Sequence, residues 1–300
     1  MISAQRLERR LEQAPDVVGE ERIRYAISRW EGYTASTEVV QKALELTRDP
    51  LATADQLQRL LSTEPMISAR LLRTANSALY AVSGRVRTIS GAVVLLGQER
   101  LREILQRFLI VDLFKMAHGR TPHGEWLKGV AVAAGSAARE LAEKMGAERP
   151  DEALFAALLH NIGESFLASR FPAEFRKCLQ GGGGVALPGL IEAAFGVSAE
   201  LAGAWLLETW RMPAPIIEAT AHWRRPLDIE PRNCSRRFLA LIHAAALLGE
   251  ARQMRRLSTE AAGLLDPEVL DLLGVEAEEV ARLYDSFETA EAVVRKLLAE

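Results

Sequence analysis

The stretch Asp151-Glu152-Ala153-Leu154-Phe155-Ala156-Ala157-Leu158-Leu159-His160-Asn161-Ile162-Gly163-Glu164-Ser165-Phe166-Leu167-Ala168 decides the fold. Two carboxylates at its start suit the positive end of a helix. The apolar residues that follow leave no polar stripe, so the pattern predicts one helix buried on most of its circumference. A histidine and an amide therefore stand inside the core. Leaving either without a hydrogen bond costs about 1–3 kcal/mol, so His160 and Asn161 need a backbone group, a metal or trapped water. Which of these satisfies them decides what the site can do.

The helical pattern extends in both directions. Short amphipathic segments at 2–13 and 20–30 are separated by Pro15 and Gly19 and read as a cap on the core, with a partner-binding arm as the alternative. Val39, Val40, Ala43 and Leu44 keep a helical period. Thr53 and Gln56 have the form of a capping box before Leu57, and Pro65 suits the first position of the next helix. Asn76 and Ser77 read as satisfying backbone groups at the end of that helix, with a ligand or partner contact as the alternative. Ser83-Gly84-Arg85 forms a turn, and Gly97 stops the apolar run from Ile89 to Leu96. The turn formers of 118–124 mark an internal boundary and place His118 and His123 in an exposed loop. From Trp126 to Met145, alanine and glycine predict close helix packing.

Beyond the central run, Pro172 opens another helix. Gly181-Gly182-Gly183-Gly184 lacks a following Lys-Ser/Thr, which makes it a connector and not a phosphate cradle. Helices are predicted near 187–195, 198–210, 213–223 and 235–250, followed by fifty amphipathic residues. No alternating strand pattern occurs, so the chain reads as all-α. The expected organisation is an N-terminal extension over 1–35, helical lobes over 36–120 and 121–250, and a C-terminal extension over 251–300.

The chain has 300 residues, is 49% apolar and 26% charged, and carries a formal charge of -3. That balance provides no global attraction to nucleic acid or anionic lipid. The arginine pairs at 9–10, 224–225, 236–237 and 255–256 leave a nucleic-acid reading as the third choice, one that would show as a steep salt dependence. Cys178 and Cys234 match no zinc spacing and read as free thiols. No run approaches the ~20 apolar residues of a membrane span, and the N-terminus is charged where a signal peptide would be apolar. The expectation is a cytoplasmic protein with no membrane contact.

Leu158-Leu159-His160-Asn161-Ile162-Gly163-Glu164 resembles the L-L-H-D-I-G-K signature of the HD phosphohydrolase superfamily, with Asn161 for Asp and Glu164 for Lys. Residues 69–80 and 89–97 resemble the LLRLANS and I-x-x-A-I-x-L-L-G segments of its HDOD branch. Phe195-Gly196-Val197 and the run from Gly203 to Pro213 resemble its F-G and G-A-x-L-L-x-x-W-x-L-P segments. The likeness runs over about residues 36–250. It implies a bacterial, signalling-associated, all-helical fold, an N-terminal lobe on an HD-like lobe, in which catalysis is mostly undemonstrated.

The resemblance also locates the superfamily's metal ligands. The first histidine position holds Lys128, the second keeps His160, and its aspartate is Asn161. A further histidine position holds Ala199, His222 is kept, and the last aspartate position near Ala246 is alanine. The lost charge argues against a dinuclear hydrolytic centre. The expectation is no metal, no cofactor and no catalytic residue, with Lys128, His160, Asn161, Glu164 and His222 forming a relic pocket. If the Lys128 and Glu164 side chains meet, an ion pair replaces the metal and Lys128→Met should destabilise the fold; the alternative is that both side chains reach solvent. Asn76, Ser77, Tyr80 and Arg85 form the family's other polar cluster.

These residues point to a non-catalytic signalling module that binds a partner protein or a small regulatory ligand, a nucleotide among the candidates. The alternative is a weak metal-dependent phosphohydrolase acting on a nucleotide or cyclic dinucleotide through His160 and His222. A leucine- and alanine-rich helical surface of this kind is compatible with a homodimer, and the sequence does not determine the oligomeric state.

Overall fold

A computed structural model describes residues 18–30, 35–49, 51–76, 86–117, 121–147 and 150–299. Every regular element among them is helical. The segment 2–13 with its arginine pair, the turn 83–85, His118, and the cluster members Ser77, Tyr80 and Arg85 lie outside the described residues.

The chain divides into two compact units, Trp30–Met116 and a larger one that joins everything from Ala117 onward to the residues before Trp30. The first helix, α1 (Glu20–Ser28), therefore belongs to the larger unit.

The smaller unit contains α2 (Ala35–Leu46), α3 (Ala54–Leu61), α4 (Pro65–Ala75) and all but the last residue of α5 (Ile89–Ala117). The capping box forms as expected: the Gln56 N–H donates to the Thr53 hydroxyl, and the Thr53 N–H donates to the Gln56 side chain. Pro65 stands at the start of α4. Gly97 interrupts α5 at φ 72°, a left-handed backbone that residues with a Cβ resist. Asn76 directs its amide at the backbone, donating to the Leu72 and Val86 carbonyls and accepting from the Val86 N–H, each at 2.8 Å. Arg70 holds Asp112 through two 3.0 Å bonds.

In the larger unit, α6 (Pro122–Lys144) lies against α7 (Pro150–Leu159) and α13 (Arg236–Gln253). Ala131, Ala133, Ala134, Ala137 and Ala138 are buried on α6, so small side chains permit the close approach that composition predicts. Between α7 and α13 run α8 (Ile162–Arg170), α9 (Pro172–Gly181), α10 (Leu187–Phe195), α11 (Ala199–Thr209) and α12 (Ala214–His222). The chain then continues through α14 (Ser258–Ala262), α15 (Pro267–Leu273) and α16 (Ala277–Ala299), with α16 packed on α6 and α14. Helix α1 docks on α11, where the Arg24 guanidinium lies 3.6 Å from the Trp205 ring centre. Just before α1, the Val18 N–H donates to the Ala194 carbonyl of α10 at 3.0 Å.

One expectation needs correction at the centre. The run 151–168 is two helices, because the chain breaks at His160 and Asn161. The break costs little in hydrogen bonding, since His160 Nδ1–H donates to the Ala157 carbonyl at 2.5 Å and Asn161 donates to the Leu127 carbonyl at 2.9 Å. Burial is as predicted: Ala153 through Leu159 are all buried. No single helix among the described residues is long and apolar enough to cross a membrane.

Candidate functional site

The larger unit contains a cleft of about 640 Å³, within the size range of small-molecule sites. The first half of α6 supplies His123, Trp126, Leu127 and Val130, which share one helical face. The break between α7 and α8 supplies His160 and Asn161, and the first turn of α8 supplies Glu164. Trp223 and Arg224 follow α12, and Glu250 comes from α13. The glycine-rich segment that follows α9 forms part of the rim, with Val185 fully exposed.

The polar groups of this cleft are largely committed to one another. His123 Nε2–H donates to Glu164 Oε1 at 2.7 Å, and both side chains are mostly buried, at 18% and 9% exposure. The His123 ring stacks near Trp126 and tilts against Phe175. His160 is buried, and its ring meets Trp223 edge-on with centroids 4.8 Å apart. Because a carbonyl only accepts, the bond to Ala157 fixes the His160 proton on Nδ1. Arg224 is held by Glu200 through Nε at 2.6 Å, and its guanidinium stacks 4.2 Å from the Trp223 ring centre. His243 Nδ1–H donates to the Trp223 carbonyl at 2.8 Å and anchors this segment from α13.

Glu250 differs from these groups. Burial pushes its carboxyl above the ordinary carboxylate value; Arg224 opposes that shift, and Glu164 and Glu200 add to it. Among the described residues no hydrogen bond or ion pair engages its side chain, although it lines the cleft. Sequence reading missed Glu250, His123, Trp223 and Arg224 as site residues. A signal existed for His123: Thr121-Pro122 is a helix start, with the Thr121 hydroxyl accepting from the Gly124 N–H at 3.0 Å and proline at the first position. His123 therefore belongs to the first turn of α6, which corrects its expected place in an exposed loop.

The expected relic pocket is only partly assembled. His160, Asn161 and Glu164 meet in the cleft, whereas Lys128 and His222 do not line it. The expected Lys128–Glu164 pair does not form. Lys128 is five residues beyond His123, about 140° around the helix from the cleft-facing side chain. It is half-exposed with Nζ 3.9 Å from Glu125, and His123 takes Glu164 instead. Asn76 serves the backbone of the smaller unit, as expected of a residue that closes a helix. Ala199 and Ala246 are buried apolar positions.

Among the described residues, no three His, Cys, Asp or Glu side chains group as ligands. Asn161 points its amide N–H donor at a carbonyl, and the Glu164 carboxylate is tied to an imidazole. Of the described arginine doublets, 236–237 has structural duties: Arg236 pairs with Glu230 and Arg237 donates to the Leu273 carbonyl.

A family model of the HDOD domain matches residues 34–226. The chain belongs to the HDOD domain family. No curated protein sequence matches it. An HDOD domain protein of unknown function from Geobacter sulfurreducens is 23% identical, with 87% of this chain and 91% of that one covered at a TM-score of 0.60. A protein from Shewanella amazonensis, provisionally named a phosphohydrolase, is 22% identical over 87% and 93% of the two chains, with a TM-score of 0.59. A Marinobacter aquaeolei protein, provisionally named a signal transduction protein, is 22% identical with a TM-score of 0.56; the match covers 88% of this chain and 59% of that one. At these identities the likeness is one of fold, and the fold is the all-helical HDOD arrangement that the sequence motifs imply.

Proposed function

We propose that this HDOD chain is a cytoplasmic regulatory module of bacterial signal transduction that acts by binding and not by catalysis. Its cleft takes a small regulatory ligand, and a partner protein reads the result. The observation that carries this reading is the use of Asn161 and Glu164, where the superfamily signature has Asp and Lys. Both side chains are engaged, by Leu127 and His123 respectively, inside a cleft that retains a ligand-sized volume. A hydrolytic metal site needs anionic or imidazole donors aimed at one point, and this donor set closes on itself. The similar fold of a protein named for signal transduction supports the same reading.

The test is metal content with turnover. Untagged protein purified without chelator should carry far less than one metal per chain by elemental mass spectrometry. It should not hydrolyse cyclic dinucleotides or bis(p-nitrophenyl) phosphate when manganese is added. About one tightly held metal per chain together with turnover would overturn the reading in favour of a phosphohydrolase.

A further inference from the structure

The cleft's charges indicate the class of ligand. Arg224 would be the natural anchor for a phosphate, but Glu200 holds it at 2.6 Å and the Trp223 ring covers one of its faces. Arg256 is exposed at the rim. Against these two cations stand Glu164, Glu200 and Glu250, with His123 bound to Glu164. A phosphate entering the cleft would meet the Glu164 and Glu250 carboxylates, and would have to break the Arg224–Glu200 pair to gain a cation.

Glu250 is the group left over. It lines the cleft half-buried, with no hydrogen bond or ion pair on its side chain among the described residues. A carboxylate in that position is favourable only if something supplies donors to it. Much of the remaining lining is apolar or aromatic, including Trp126, Leu127, Val130 and Leu247, and the Trp126 indole face attracts cations.

We propose that the cleft binds a small organic cation, an amine, amidine or guanidine carried on an apolar or aromatic body, with Glu250 as its anchor and the Trp126 ring as a wall. This rests on the ligand-binding reading above and narrows it, because it excludes nucleotides and other phosphates as primary ligands. The cation supplies the donors that the Glu250 carboxylate lacks, and its apolar body fills the volume beside Trp126, Leu127 and Val130.

The experiment uses the full chain and ligand-observed saturation-transfer NMR with benzamidine and, as an anion of similar size, phenyl phosphate. Benzamidine should give a signal and phenyl phosphate none. Glu250→Gln should weaken benzamidine at least tenfold while the variant melts no lower than the parent. Lys128→Met, outside the cleft, should leave the affinity unchanged. Equal benzamidine binding by Glu250→Gln, or no benzamidine binding by the parent, overturns the proposal. Phenyl phosphate or a cyclic dinucleotide binding without turnover while benzamidine fails also overturns it, yet leaves the regulatory reading intact. Metal-dependent turnover of the dinucleotide would end both.

Discussion

The imidazole of His123, in the first turn of α6, donates to the Glu164 carboxylate at 2.7 Å and joins α6 to α8 across the cleft. This pair occupies the role expected of Lys128. Removing one partner leaves the other mostly buried without its bond, so His123→Ala should cost about 1–3 kcal/mol in urea denaturation. Lys128→Met should stay within about 0.5 kcal/mol of the parent, because its ion pair is an exposed contact at 3.9 Å. The reverse order of effects would restore the Lys128–Glu164 pairing.

Asn161 separates this chain from its superfamily signature in a way that substitution can reverse. Asn161→Asp restores the signature aspartate but turns a donor at 2.9 Å from the Leu127 carbonyl into an acceptor. Two oxygens then face each other in a buried site. A loss of about 3 kcal/mol is expected, with no rise in metal content by elemental analysis. A variant that gains metal and keeps its stability would show that the donor role of Asn161 is dispensable.

Gly163 has no room for a side chain. A Cβ there would lie 1.8 Å from the Ala199 carbonyl oxygen and 2.5 Å from the Gly203 nitrogen, both backbone atoms of α11. Helices α8 and α11 would have to separate, so Gly163→Ala should cost about 3 kcal/mol or prevent folding. Gly189→Ala is the control: the residue lies inside α10, its added Cβ would meet nothing within 4 Å, and the variant should gain about 0.5 kcal/mol. Equilibrium denaturation of the two variants would separate the crossing from a general intolerance of alanine.

Glu250 predicts a pH dependence. Its folded carboxyl titrates above the ordinary value of 4.5, so the folded state favours the protonated form. The associated stability is fully present below that ordinary value and is lost as pH rises through the higher folded value. Glu250→Gln cannot lose a proton there. Its stability relative to the parent should be unchanged near pH 4 and should grow towards pH 7, where the variant should be the more stable. A variant less stable than the parent at pH 7 would mean that the carboxylate already has an attractive partner.

Much of this protein is legible in its sequence. Helical apolar period, the Thr53–Gln56 cap, Pro65, Gly97 and the HDOD-like motifs determine an all-helical chain of the right family, because such signals act over a few residues. The same local reading places His160 and Asn161 in the core. It does not reveal that the helix breaks there, since that depends on the Leu127 carbonyl of another helix. Nor does it pair Glu164 with His123 or bring Glu250 into the cleft. Those partners lie 41 residues apart in the first case, and in the second on helices that meet only when α6, α8 and α13 pack together. Local propensity determined the elements; the tertiary structure decided which polar groups satisfy one another, because burial leaves each of them only the neighbours that packing supplies.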